Sequence, residues 1–298
     1  MKKDLTLAYS TCPNDTYIFH AIADGLLPCN FNFDITLADV ETLNQNGQKG
    51  KFDISKLSFA AFGFMQDKYA LLRTGAALGR GCGPLLVGLP GKSLDSSSDN
   101  TIQLINCPSK EKIIKPVIAV PGMGTTAFVL LRLFLNDHFP HLQPEIIPMP
   151  FEKVMPSVIK KEADFGLIIH ESRFVYKEMG LNSLVDLGNW WEEKTGLPIP
   201  LGCIAIKREL GKETAKAIEN LTGQSIDYAR QHPEAGTDYI KKHAQELNSE
   251  VIQAHIELYV NEFSRDIGEE GEAAIHAFYE NARKAEIIPQ SSLPLFAC

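Results

Sequence analysis

Short apolar runs alternate with helical patterns along the chain before Glu209, and this alternation restricts the possible folds more than any other feature. Apolar runs of this length are typical of buried strands. They lie at residues 5–9, 31–37, 52–57, 69–73, 85–89, 117–120, 145–149 and 165–169. Most are followed by a polar turn and a helical pattern, which predicts βαβ units and an α/β fold. After Glu209 the pattern is helical.

Two apolar runs are predicted to be strands that cross between lobes, one at residues 85–89 and the other at 197–206. The predicted fold is therefore α/β and two-lobed, with a central cleft and two crossing strands. The predicted boundaries are residues 1–87 and 205–298 for lobe 1 and residues 88–204 for lobe 2. The polar residues 91–112 are predicted to form a surface excursion.

The composition is that of an ordinary globular protein, with 44% apolar and 22% charged residues among 298. The formal net charge is −8 at pH 7, and no cluster of Lys and Arg resembles a nucleic-acid footprint. No run approaches the roughly 18 apolar residues that span a bilayer, and the N-terminus lacks the pattern of a signal peptide. Six cysteines without a C-x-x-C pair predict reduced thiols and no zinc site. We expect a cytoplasmic protein without a nucleic-acid or membrane partner.

A glycine-rich segment at residues 75–84 matches neither of the common nucleotide-binding loops, so no nucleotide cofactor is implied. Arg80 lies within this segment and is a candidate partner for an anion. No metal site is predicted.

The most informative stretch for function is Asp164-Phe165-Gly166-Leu167-Ile168-Ile169-His170-Glu171-Ser172-Arg173. Functional side chains follow directly on an apolar strand, which is where open α/β sheets place their ligand sites. The imidazole of His170 is suited to proton transfer near neutral pH. The alternative is a hydrogen-bonded core histidine at the end of a strand. Residues 174–179 are predicted to continue as a helix.

Other polar side chains also follow predicted strands. These candidates for substrate binding are Asn14, Ser55, Ser58 and Arg80 in lobe 1, and Thr125 and Thr126 in lobe 2. Helix capping is an alternative for Asn14, or for its neighbour Asp15, and it is the commoner explanation for a serine after a strand. The segment Pro121-Gly122-Met123-Gly124-Thr125-Thr126 precedes a predicted helix at residues 127–136, whose first N–H groups could hold an anion. As a capping device alone, the two threonines would need no ligand.

Seven motifs are spread along the whole chain. They are Ser10-Thr11-Cys12-Pro13-Asn14-Asp15-Thr16-Tyr17-Ile18-Phe19, Asp53-Ile54-Ser55-Lys56, Gly79-Arg80-Gly81-Cys82-Gly83-Pro84, Pro121-Gly122-Met123-Gly124-Thr125-Thr126-Ala127, Gly166-Leu167-Ile168-Ile169-His170-Glu171, Leu197-Pro198-Ile199-Pro200-Leu201-Gly202 and His255-Ile256-Glu257-Leu258-Tyr259-Val260-Asn261. Together they resemble the motifs of the 1,4-dihydroxy-6-naphthoate synthase family of the futalosine route to menaquinone. Residues 92–112 match least well.

The resemblance implies a periplasmic-binding-protein-like (type 2) fold and a carbon–carbon lyase that needs no cofactor. The small anionic substrate would be cyclic dehypoxanthine futalosine, and the products 1,4-dihydroxy-6-naphthoate and dihydroxyacetone. It also implies His170 as the base and Thr125 and Thr126 at the ligand. The hypothesis places the substrate carboxylate at the two threonines. The sugar-derived oxygens would then lie at Asn14, Ser58 and Arg80. The alternative for Arg80 is an ion pair with an acidic residue across the cleft.

Two other functions fit the same predicted fold. One is a solute-binding protein for transport, against which the expected lack of a signal peptide argues. The other is the related chorismate dehydratase, over which the Cys-Pro-Asn-Asp and Ile-His-Glu segments favour the naphthoate enzyme. The sequence does not settle the oligomeric state, and a homodimer is left open.

Overall fold

The computed structural model describes residues 2–92, 102–103, 112–113, 115–244 and 248–298. Its strands are β1 (Lys3–Tyr9), β2 (Phe31–Leu37), β3 (Ile54–Ser58), β4 (Tyr69–Leu71), β5 (Ala77–Gly79), β6 (Leu85–Gly88), β7 (Ile102–Gln103), β8 (Lys112–Ile113), β9 (Val117–Val120), β10 (Glu145–Pro148), β11 (Phe165–Ile168), β12 (Asn182–Asp186) and β13 (Ile199–Lys207). Its helices are α1 (Pro13–Ala23), α2 (Val40–Gln48), α3 (Phe59–Phe62), α4 (Thr126–His138), α5 (Phe151–Ile159), α6 (Ser172–Val175), α7 (Leu187–Thr195), α8 (Gly211–Gln231), α9 (Thr237–His243), α10 (Ser249–Tyr259), α11 (Glu262–Arg265) and α12 (Gly268–Lys284), with a 3₁₀ turn at Arg208–Leu210.

The chain divides into two compact units. Unit 1 comprises Met1–Cys82 and Leu197–Cys298, and unit 2 comprises Gly83–Gly196. The lobe boundaries predicted from the sequence, at 87/88 and 204/205, lie inside β6 and β13. Each of these strands pairs along its length with one sheet, β6 in unit 2 and β13 in unit 1, so each belongs to a single unit.

Unit 1 is built on a mixed sheet in the order β2-β1-β3-β13-β4, with β5 also paired to β13. Strands β2, β1 and β3 are parallel, and β13 runs antiparallel to β3. The register sets Ala8 of β1 opposite Ser55 of β3, so the residues that follow β1 lie beside the second half of β3. Apolar side chains of β1, α1 and α8 form much of the core of this unit.

Unit 2 contains a five-stranded sheet in the order β10-β9-β11-β6-β12. Strands β10, β9 and β11 are parallel, and β6 runs antiparallel to β11. Because β9 and β11 are parallel neighbours, the turns that follow them lie at the same edge of the sheet. Those turns lead to Thr125 and to His170.

Several local predictions differ from the structure. Helix α1 begins at Pro13, and neither Asn14 nor Asp15 caps it; Cys12 occupies the N-cap position without a capping side-chain bond. The helix predicted at 174–179 is wrong, because α6 covers only Ser172–Val175. Strands β5 and β12 were not predicted, since their short polar or glycine-containing sequences become strands by pairing with β13 and β6.

The excursion predicted at 91–112 lies mostly outside the described residues. Within the described part of the chain, no helix is both long enough and apolar enough to cross a membrane.

Candidate active site

His170 follows β11 in unit 2, and its backbone adopts a left-handed conformation with φ of 55°. This region is uncommon for a residue with a side chain, and such conformations concentrate where function requires them. The imidazole is half-buried, and its ring meets the ring of Phe151 edge-on, with 5.3 Å between the centroids. The backbone thus turns sharply at His170, at the carboxyl end of a buried strand.

The turn after His170 is closed by backbone hydrogen bonds. The carbonyl of His170 accepts from the N–H of Arg173 at 3.2 Å, and the carbonyl of Glu171 accepts from the N–H of Phe174 at 2.9 Å. Glu171 is buried and occupies the N-cap position of α6, but its side chain makes no capping bond to that helix. Capping of α6 therefore does not account for this carboxylate.

Arg173 joins this turn to the rest of unit 2. Its guanidinium donates to the carbonyl of Gly83 at 2.6 Å and to the carboxylate of Asp186 at 2.6 Å. Asp186 also caps α7 by accepting from the N–H groups of Gly188 and Asn189. The arginine therefore connects the His170 turn to the start of β6 and the end of β12.

Thr125 and Thr126 are buried at the start of α4. The hydroxyl of Thr125 donates to the carbonyl of Gly122 at 2.9 Å and accepts from the N–H of Phe128 at 3.2 Å. Thr125 is thus the N-cap of the helix, and its one hydroxyl proton is already committed to the turn. The backbone N–H groups of the first helical turn remain the natural donors to an anion.

Asn14 lies in the first turn of α1 and is buried in unit 1. Its side-chain N–H donates to Oδ1 of Asp15 at 2.9 Å. Its Oδ1 lies 3.0 Å from Nε2 of His255, a fully buried residue of α10. Since an amide oxygen can only accept, this ring nitrogen carries the proton.

Asp15 and Lys56 form a buried ion pair beside Asn14. Nζ of Lys56 lies 2.7 Å from Oδ1 of Asp15, and the two side chains are 5% and 1% exposed. Oδ2 of Asp15 accepts from the hydroxyl of Ser10 at 2.6 Å and from its N–H at 3.2 Å. Lys56 also donates to the carbonyl of Gly75 at 3.1 Å. The carboxylate is therefore matched by donors on both oxygens.

The two predicted serines are buried in unit 1, and neither caps a helix through its hydroxyl. Ser55 lies within β3 and donates to the carbonyl of Lys56 at 3.0 Å. Ser58 occupies the N-cap position of α3, but its hydroxyl accepts from Nδ2 of Asn44 at 3.0 Å. The amide of Asn44 also accepts from the N–H of Ser58 at 3.0 Å, which fixes the end of β3.

Arg80 differs from the other candidates because its side chain is 46% exposed. It donates to Oε1 of Glu270 at 2.7 Å, and that carboxylate is 51% exposed. Both residues belong to unit 1. Arg80 is therefore held by a surface ion pair outside the buried network around Asn14.

The structure thus places the predicted residues other than Arg80 in two groups, one at the turns after β9 and β11 in unit 2 and one around β1 and β3 in unit 1. Sequence reasoning missed Asp15, Lys56, His255 and Arg173 as parts of these groups. One signal was available: Lys56 is the single charged residue in a strand whose five positions are all buried. A lysine in such a strand requires a buried partner.

Known proteins resemble this chain over nearly its full length. The sequence profile of a family described as menaquinone biosynthesis matches residues 5–284. A relative from Thermus thermophilus, named 1,4-dihydroxy-6-naphthoate synthase, is 42% identical over 293 residues, which is 98% of this chain and 98% of the relative. A protein of the same name from Streptomyces coelicolor is 40% identical over 285 residues, with coverage of 96% and 95%. The resemblance inferred from the sequence motifs is confirmed.

Solved structures show the same fold. An Archaeoglobus fulgidus protein is similar with a TM-score of 0.81 and 29% identity, covering 96% of this chain and 98% of that one. The periplasmic aliphatic sulphonate-binding protein of Escherichia coli matches with a TM-score of 0.64 and 12% identity, covering 99% and 91%. At that identity the likeness concerns the fold alone. The predicted two-lobed, periplasmic-binding-protein-like α/β fold is confirmed.

Proposed function

The chain belongs to the menaquinone biosynthesis family, and we propose that it carries out the carbon–carbon lyase reaction of a 1,4-dihydroxy-6-naphthoate synthase. The observation that carries this proposal is the 42% identity to such a synthase over 98% of both chains. The substrate would be cyclic dehypoxanthine futalosine, and the products 1,4-dihydroxy-6-naphthoate and dihydroxyacetone. The proposal includes a cytoplasmic location, because the named relatives are biosynthetic enzymes.

His170 acts as the general base in this proposal. Loss of the sugar-derived fragment requires that a proton be removed from a carbon or a hydroxyl of the substrate, and a neutral imidazole can accept it. The left-handed backbone at His170 supports the role, because a strained residue at the end of a strand persists only where its surroundings hold it. The hydrogen bonds of Arg173 supply part of that support.

The start of α4 binds the substrate carboxylate in this proposal. The N–H groups of its first turn, together with Thr126, face an anion in the way that helix N-termini commonly do. Thr125 contributes by shaping the turn, because its hydroxyl proton is donated to Gly122. An N-terminal dipole contributes only about 0.3–1 kcal/mol at an exposed site, so hydrogen bonds from these donors provide most of the binding.

The sugar-derived oxygens are assigned to unit 1. Asn14 has a second side-chain N–H besides the one that Asp15 accepts, and this N–H can donate to a substrate oxygen. Ser55 and Ser58 lie on β3, the strand beside β1, and complete this set of hydroxyl and amide groups. Arg80 can join them by exchanging its contact with Glu270 for the substrate.

The test is turnover of cyclic dehypoxanthine futalosine by the purified protein, with dihydroxynaphthoate measured by chromatography. His170→Asn is the informative variant, because asparagine tolerates the left-handed backbone while removing the imidazole. We expect kcat to fall by about 10²–10⁴-fold, the usual contribution of a general base, while the substrate still binds.

Lys161→Asn is the matched control. Lys161 is exposed, lies in the same unit, and has φ of 62°, so the same replacement is made in the same backbone conformation. It should retain wild-type kcat. Wild-type kcat in His170→Asn would exclude His170 as the base, and a wild-type protein without turnover would reject the lyase proposal itself.

A further inference from the structure

The buried Lys56–Asp15 pair is not explained by stability. Removing an ammonium and a carboxylate from water is unfavourable, and well-packed apolar residues often serve as well or better at such positions. Both side chains are at least 95% buried, so the pair has lost nearly all of its contact with solvent. A pair of this kind is best explained by what it holds in place.

The Lys56–Asp15 pair fixes the orientation of the Asn14 amide. One N–H of Asn14 donates to Asp15, and its oxygen accepts from His255. If the amide were flipped, its oxygen would face the Asp15 carboxylate at 2.9 Å, and two acceptors would then be in contact. The charge on Asp15 therefore selects one orientation, and that orientation fixes the direction of the second N–H.

Lys56 in turn holds the side chain of Asp15 in place. Its ammonium lies 2.7 Å from Oδ1, the same oxygen that accepts from Asn14. The ammonium is itself positioned by the carbonyl of Gly75 at 3.1 Å. The order of contacts is thus Gly75, Lys56, Asp15, Asn14 and His255, all within unit 1.

The neighbouring strand leaves room for the lysine. A Cβ atom at Gly202 of β13 would lie 3.0 Å from Cε of Lys56, closer than side chains normally approach. An alanine at this position would therefore require the alkyl stem of Lys56 to shift by a few tenths of an ångström. This close approach ties the location of the ammonium to the backbone of β13.

We propose that Lys56 and Asp15 are positioning residues that fix the amide of Asn14 in the orientation in which its second N–H binds the substrate. The inference rests on the proposed function, since it concerns how the same site recognises its substrate. It assigns no contact with the substrate to Lys56 or Asp15 themselves. Their effect on binding is transmitted through Asn14.

The test separates this role from a structural one by comparing stability with KM. The variants are Lys56→Met, Asp15→Asn and the double variant that carries both, which has no buried charge. We expect the double variant to recover much of the stability that Lys56→Met loses, yet to keep a KM raised at least about tenfold. A merely structural role would instead restore KM together with stability.

Asn14→Ala provides the decisive comparison. In the wild-type background it should raise KM at least about tenfold, and in the double-variant background it should add no more than about twofold, because coupled residues are not additive. A matched control is Lys207→Met with Asp53→Asn, another Lys–Asp pair of unit 1, with 3.2 Å between Nζ and Oδ1, just before the start of β3. It should leave KM unchanged.

If the double variant folds poorly, a further variant provides the same test. Gly202→Ala displaces the stem of Lys56 without removing a charge, and it should raise KM while its Asn14→Ala derivative adds little more. Full additivity with Asn14→Ala in both backgrounds would overturn the positioning role while leaving the lyase function intact. A wild-type protein that does not turn over the substrate would overturn both.

Discussion

The guanidinium of Arg173 donates a hydrogen bond of 2.6 Å to the carboxylate of Asp186, and both side chains are about four-fifths buried. The N–H of Arg173 also donates to the carbonyl of His170. One residue therefore connects the turn that presents the imidazole to the end of β12. The position of His170 depends on this connection as well as on β11.

Arg173→Met should lower kcat about tenfold and the free energy of unfolding by about 2 kcal/mol, since hydrogen bonds to charged groups are lost in a partly buried place. Urea denaturation and steady-state kinetics measure the two effects. Lys194→Met is the control, because Lys194 pairs with Asp137 on the surface of the same unit. Lys194→Met should lower the free energy of unfolding by less than about 1 kcal/mol and leave kcat unchanged. Equal kinetic effects of the two variants would contradict the assignment.

Thr125→Val should destabilise the protein by about 1 kcal/mol, because α4 loses the hydroxyl that caps it. Thr125→Ser retains the hydroxyl, and its free energy of unfolding should remain close to that of the wild type. If the first turn of α4 holds the substrate carboxylate, the valine variant should also raise KM, because that turn is less well ordered. A valine variant that is destabilised but has wild-type KM would separate the capping role from substrate binding.

Much of the fold could be predicted because it depends on local patterns. The helix predicted at 127–136 lies within α4, and helices α8 to α12 follow Glu209, where the sequence predicts a helical pattern. Strands β5 and β12 could not be predicted, since each depends on pairing with a strand distant in sequence. The capping role left open for Asn14 or Asp15 is not found, because both side chains make other contacts, including those with His255 and Lys56.

The candidate site was predictable only as far as each residue follows a strand. His170 and Thr125 were identified because polar residues follow apolar runs there. The contact between Asn14 and His255 was not predicted, because the two residues are 241 positions apart in the chain. The sequence offers no rule that pairs one buried histidine with one amide at that distance.

Lys56→Met should reduce the free energy of unfolding by about 3–5 kcal/mol, because it leaves the Asp15 carboxylate buried without its cation. The double variant, Lys56→Met with Asp15→Asn, should lose clearly less unfolding free energy than the two single variants lose in sum, since neither charge remains. Urea denaturation of the four proteins in this cycle measures the coupling. Additive losses would show that the two groups do not interact as the geometry indicates.

Asp53 should contribute to the dependence of stability on pH. Burial alone would raise its pKa, but hydrogen bonds from Thr6 and Lys207 outweigh burial and hold the pKa below its ordinary value. A carboxyl group with a lowered pKa stabilises the folded state above its unfolded pKa of about 3.9 and loses that contribution as pH falls through the folded pKa. The difference in unfolding free energy between wild type and Asp53→Asn should therefore be largest near neutral pH and shrink below about pH 4. A difference that does not change between pH 7 and pH 2 would exclude this contribution.

Arg80 and Glu270 allow substrate recognition to be separated from surface pairing. Both side chains are about half exposed, so removing either should change stability by less than about 1 kcal/mol. If Arg80 binds the anionic substrate, Arg80→Met should raise KM about tenfold. Glu270→Gln should leave KM unchanged or lower it, because the guanidinium no longer has to exchange this carboxylate for the substrate.

Added salt should raise the wild-type KM and have less effect on Arg80→Met, since screening acts on a charge that the variant lacks. Unchanged KM in Arg80→Met would leave Arg80 with its ion pair to Glu270 alone, and substrate recognition in unit 1 would then depend on Asn14 and the serines of β3.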